Sequence, residues 1–159
     1  MGFWIHTAGV DETTFKKRTR DVALRVIKLV DSWPNSRAAD VIGRQLLRSA
    51  TSIGANYRAA CRSRSPSDMI SKLSIVEEEA DETLYWLEIL VEARKIIASR
   101  LEPLRHEIGE IIAMTVASIK TLRSRTIQSK IQNLKLYAKH DRLWAGRDRS
   151  QRRPVQCRT

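Results

Sequence analysis

Three histidines and one run of carboxylates are the residues of this 159-residue chain whose types could support acid–base or metal chemistry. His6 lies near the start, His106 in the early turns of a helical stretch, and His140 near the C-terminus. Nucleophilic catalysis needs a histidine held against a hydroxyl or thiol by a third group. None of the three sits in a glycine-rich nucleophile elbow. No GxxxxGK[ST] or GxGxxG string is present to cradle a phosphate. The run Glu77-Glu78-Glu79-Ala80-Asp81-Glu82 invites a two-metal reading. Bundles build such sites from one inward Glu on each of two helices and a Glu-x-x-His on each of the others. Here the residue three before His106 is Pro103, and no Glu-x-x-His occurs. Cys61 and Cys157 make neither a disulfide framework nor a zinc cluster, which fits a reducing compartment. The sequence therefore predicts no catalytic residue, no metal and no cofactor, and the acids are read as partners for bases.

The bases are the larger signal. Lys and Arg number 29 against 18 Asp and Glu, a formal charge of +11. Residues 1–64 carry 12 bases and 5 acids, residues 65–122 carry 6 and 11, and residues 123–159 carry 11 and 2. An acidic middle between basic arms predicts oppositely charged helices lying side by side, or basic parts facing a polyanion. Arg58, Arg62, Arg64 and Lys72 gather around one predicted bundle end and are the candidate nucleic-acid-binding residues. The last residues intersperse Tyr137 and Trp144 among Lys139, Arg142, Arg147, Arg149, Arg152 and Arg153. Charge neutralises phosphate, and an aromatic ring stacks on an unpaired base. Basic tails also suit acidic protein partners.

Four helices must position these groups. Phe15, Val22, Val26, Leu29 and Val30 recur at helical spacing and predict a first helix over 14–31, ended by Trp33-Pro34. A second, over 37–62, is capped by Ser36 and carries Ile42, Leu46, Ile53 and Tyr57. Gly43 and Gly54, about three turns apart, point the same way and predict a close neighbour on that side. Ser65-Pro66-Ser67-Asp68 predicts a capped start with proline at the first helical position. The third helix then runs to about residue 98, with Met69, Leu73, Val76, Ala80, Leu84, Leu87 and Val91 near heptad spacing. Ile75, Trp86, Ile89 and Ala93 form a second apolar face, which predicts a further contact. A fourth helix is predicted from Pro103, with Leu104, Ile108, Ile111, Ile112, Ile119 and Leu122 as its stripe. Ile127, Ile131 and Leu134 prolong it, and a flexible basic tail follows from residue 139. The expected fold is an all-α, antiparallel up-down-up-down four-helix bundle with a basic, flexible C-terminal tail. Residues 1–12 are read as a flexible leader, 13–125 as the bundle, and 126–159 as helix extension and tail. No run approaches 18 apolar residues, so no membrane span is predicted, and a cytoplasmic protein is expected.

The string from Leu46 to Arg58, LLRSATSIGANYR, is followed by Arg62-Ser63-Arg64-Ser65, Lys72-Leu73-Ser74-Ile75-Val76-Glu77-Glu78 and Asp81-Glu82-Thr83-Leu84-Tyr85-Trp86-Leu87. Across residues 13–125 the chain thereby resembles the bacterial four-helix bundle family, also called the ribosomal RNA intervening-sequence protein family. The resemblance implies a non-enzymatic bundle that assembles as a homopentamer, and with it Gly54 and Trp86 become the candidate oligomer-interface residues. A branch with a similar fold, the accessory variability proteins of diversity-generating retroelements, binds a reverse transcriptase and nucleic acid through a basic surface. Residues 1–12 and those beyond Arg125 exceed the family pattern and inherit no role. Two functions follow as expectations. One is a cytoplasmic homo-oligomeric bundle that binds RNA or DNA through basic surface. The other is a scaffold or accessory subunit whose partner is a protein such as a reverse transcriptase.

Overall fold

The computed structural model describes residues 11–33 and 36–150, with residues 139–150 described by their backbone alone. The predicted leader up to residue 10, the Pro34 turn and the tail from 151, with Arg152 and Arg153, lie outside the described residues. So do the side chains of Lys139, Arg142, Trp144, Arg147 and Arg149. Four helices appear in chain order: α1 (Glu12–Asp31), α2 (Arg37–Ala60), α3 (Pro66–Glu92) and α4 (Ala98–Ser150). No strand occurs among the described residues. The chain falls into two units, Met1–Leu122 and Arg123–Thr159, with the boundary inside α4.

Each start has a side-chain reason. Asp11 accepts from the Thr14 backbone N–H at 2.9 Å, so α1 begins two residues before its predicted start and places Glu12 in the favourable first turn. Ser36 accepts from Ala39 N–H at 3.1 Å and Ser65 from Asp68 N–H at 3.1 Å. The reciprocal half of the capping box is displaced by one residue. Asp68 Oδ2 accepts from the backbone N–H of Arg64, at 3.3 Å, rather than from that of Ser65.

Two boundaries depart from the sequence reading. Helix α3 stops at Glu92, six residues before the predicted end. Lys95 N–H reaches the Leu90 carbonyl at 2.9 Å and Arg94 N–H that of Val91 at 2.9 Å, a Schellman stop. Arg94 takes the left-handed position at φ 53°, where glycine is usual. Helix α4 begins at Ala98, so Pro103 lies inside it rather than at its start. The extra turn is anchored by Leu101, which is buried in the core beside Leu104. Beyond Leu122, α4 continues through Ile127, Ile131 and Leu134 and stays helical past residue 139 to Ser150.

The core of the first unit follows the predicted stripes. Phe15, Val22 and Val26 of α1, Leu46, Ile53 and Tyr57 of α2, Leu73, Val76, Ala80 and Leu87 of α3, and Ile108, Ile111 and Ile119 of α4 belong to one buried cluster. Phe15 and Tyr57 stack with ring centroids 4.1 Å apart, joining the first turn of α1 to the last turn of α2. Thr83 donates to Ser49 Oγ at 3.0 Å, a satisfied polar pair within the α2–α3 contact. Within this unit α4 is tied to α1 by Arg18 and to α3 by Arg105, which gives the up-down-up-down arrangement. No helix among the described residues is long and apolar enough to cross a membrane.

Candidate nucleic-acid interface

The ion pairs sort the bases into two classes. Arg18 donates from Nε to Glu107 at 2.6 Å and from Nη2 to Glu110 at 2.6 Å, and these hydrogen bonds raise its pKa further. Arg48 bridges Glu79, at 3.3 Å, and Glu82, at 2.5 Å. Lys16 pairs with Glu12, Arg44 with Asp40, Lys72 with Asp68, and Arg105 with Glu88. These bases have fixed carboxylate partners. The helix rotation selects Glu79 and Glu82 for Arg48, leaving Arg44 to Asp40 within its own helix.

Arg58, Arg62 and Arg64 belong to the other class. Arg58 occupies the last turn of α2, and Arg62 and Arg64 lie in the segment leading to the Ser65 cap of α3. All three are exposed, and none makes an ion pair among the described residues. The Phe15–Tyr57 stack brings the start of α1 to this same end. There Lys17 and Arg20 are also exposed and make no ion pair among the described residues. Sequence analysis did not single them out. The signal for Arg20 was the lack of any acid three or four residues away.

Lys72 fares differently. Its ammonium is bound to Asp68, and that bond is the main cause holding the Asp68 carboxyl below its ordinary pKa. Of the four predicted contacts, Lys72 is therefore the one already neutralised. Each arginine of the other three presents a planar fork of donors suited to phosphate. Together with the N-terminal end of α3, they make a corner of positive potential.

The other chemical candidates are accounted for structurally. Burial pushes up the pKa of the Cys61 thiol, which is the opposite of an activated nucleophile. Tyr57 is buried and its hydroxyl is likewise shifted up, chiefly by desolvation. His106 is exposed, and its neighbours Arg105 and Glu107 are committed to Glu88 and Arg18. Among the described residues no three His, Cys, Asp or Glu side chains converge as a metal site.

The two predicted interface residues separate. A Cβ on Gly54 would lie 3.5 Å from Thr19 Oγ1, and one on Gly43 would lie 3.1 Å from Val30 Cγ1. Both glycines thus admit α1 of the same chain, and the close neighbour predicted for Gly54 is intramolecular rather than a second copy. Trp86 is half-buried, donates from Nε1 to Glu82 at 3.1 Å, and packs edge-on to the exposed Tyr85 at 5.0 Å.

Comparison with known proteins agrees with this architecture. A family model described as 23S rRNA-intervening sequence protein matches residues 11–117. A crystal structure of a protein with unknown function from the S23 ribosomal protein family of Bacteroides thetaiotaomicron is similar at 36% identity and a TM-score of 0.64. The match covers 69% of this chain and 97% of that one. No curated protein matches. With the family model spanning about two thirds of its length and a solved relative above 30% identity, the chain belongs to the 23S rRNA-intervening sequence protein family.

Proposed function

We propose that the protein is a non-enzymatic, homo-oligomeric cytoplasmic bundle that binds RNA or DNA through the arginines at the α2–α3 corner. Five copies is the number the family resemblance implies. The observation that carries the reading is the sorting of bases. Arg58, Arg62 and Arg64 stay exposed without carboxylate partners, whereas Arg18, Arg48 and Arg105 are bound to acids. Counterion release on phosphate neutralisation supplies the affinity, and no base-reading element is required. The family's name carries 23S rRNA, which favours RNA as the polyanion.

The test is nuclease-treated, full-length protein titrated against a labelled single-stranded RNA by fluorescence anisotropy. Saturable binding that weakens when Arg58, Arg62 and Arg64 are changed to Glu supports the reading. Absence of binding, with one stoichiometric protein retained through nuclease treatment, overturns it in favour of a protein scaffold.

A further inference from the structure

Two exposed helix faces carry opposite charge. On α4, Ile127, Ile131 and Leu134 are spaced four and three apart and are 59%, 40% and 67% exposed. At 100° per residue they span an arc of about 60°, which Tyr137, 71% exposed, widens to about 120°, while Leu136, 65% exposed, lies on the opposite side. Arg123 and Lys130 fall on one flank of the Ile127–Ile131–Leu134 seam and Lys135 on the other. None of the three makes an ion pair among the described residues, and residues 123–138 contain no Asp or Glu.

The complementary pattern is on α3. Ile75, 37% exposed, and Tyr85, 51% exposed, lie on a heptad-spaced line with Glu78, Glu82 and Ile89. Glu82 is held by Arg48, but Glu77, Glu78 and Asp81 make no ion pair among the described residues. These three acids line a groove with Ser74 of α3 and Ile112 of α4.

We infer that the basic seam of α4, residues 123–138, docks on the acid-flanked Ile75–Tyr85 face of α3 in a second copy of the chain. The inference rests on the homo-oligomer reading above and names the surface that makes the contact. Self-pairing of two α4 seams would set bases against bases, because this stretch offers no acid. Docking on α3 joins apolar ridge to apolar ridge and gives Arg123, Lys130 and Lys135 the carboxylates that Glu77, Glu78 and Asp81 leave unused. Assignment of these bases to assembly also leaves Arg58, Arg62 and Arg64 free for nucleic acid.

The test is a charge swap in the full chain, read by sedimentation velocity with circular dichroism to confirm folding. One variant carries R123E, K130E and K135E, and the other E77K, E78K and D81K; the single changes K130E and E78K replace any triple variant that fails to fold. Each variant alone should self-associate roughly tenfold or more weakly than wild type. An equimolar mixture should recover association, because each then supplies the charge the other lacks. Wild-type assembly that both variants retain, or loss that mixing does not rescue, overturns the docking while the oligomer reading stands. A monomeric wild type overturns both, and so does capture of the wild-type monomer by phosphatidylserine vesicles.

Discussion

Arg48 of α2 donates from one Nη2 to both carboxylate oxygens of Glu82 on α3 at 2.5 Å, while the same Glu82 accepts from Trp86 Nε1 at 3.1 Å. This three-residue chain fixes the rotation of α3 against α2. It also explains why two of the five acids in the run are paired and the other three make no ion pair among the described residues. Glu79 and Glu82 face α2 and Arg48; Glu77, Glu78 and Asp81 lie toward the α4 side, in the groove with Ile112.

The Arg48 bond holds the Glu82 carboxyl below its ordinary 4.5, with the Trp86 bond second in effect. A carboxylate whose pKa is lower folded than unfolded contributes stability above the unfolded value and loses it as pH falls through the folded one. Stability should therefore decline below pH 4.5. Glu82→Gln should lower Tm near neutral pH, and the gap to wild type should narrow as pH falls below 4.5. Thermal melts across this range check it.

Arg18 is the largest electrostatic tie between α1 and α4, with two carboxylates at 2.6 Å and the Met114 sulfur at 3.4 Å. Its side chain is only 21% exposed. Arg18→Ala should cost about 1–2 kcal/mol in urea unfolding, because Glu107 is left partly buried and unpaired. Arg18→Lys should recover only part of this, since one ammonium cannot reproduce the fork.

The glycines of α2 should respond differently to alanine. At Gly54 the added Cβ meets only ordinary contacts with Thr19, the nearest at 3.5 Å, whereas at Gly43 it meets Val30 at 3.1 Å. Gly54→Ala should stabilise by about 0.5–1 kcal/mol through helix propensity. Gly43→Ala should gain less or lose. Gly54→Ala should also leave the sedimentation coefficient unchanged, because the site faces its own α1.

At the end of α3, Arg94 holds φ 53° in a position made for glycine. Arg94→Gly should raise stability by about 1 kcal/mol, measured by denaturant unfolding. The Schellman hydrogen bonds are backbone bonds and survive the change.

Much of this was legible in residue spacing. Ser36 and Ser65-Pro66 mark their helix starts, and Leu46, Ile53, Leu73 and Val76 fall in the core where their periodicity placed them. Missed features share a physical cause: tertiary context supplied what local chemistry did not announce. No glycine or proline flags the end of α3, because Arg94 adopts the left-handed turn itself. Pro103 looked like a start, but burial of Leu101 draws the helix one turn further back. For the candidate site, Arg58, Arg62 and Arg64 could be named from their order in the chain. The Asp68–Lys72 pair was legible in its i,i+4 spacing and was passed over, whereas that Gly54 would face Thr19 depended on the side taken by α1.

The most direct measurement is the salt dependence of single-stranded RNA binding for wild type, for R58A/R62A/R64A and for K72A. Each neutralised phosphate contributes about 0.7 to the log–log slope on a single strand, so loss of three arginines should reduce it by about 2. K72A should leave the slope at its wild-type value, since that charge is already held by Asp68. A triple variant with an undiminished slope would contradict the account, because the α2–α3 corner would then not be where phosphate is bound.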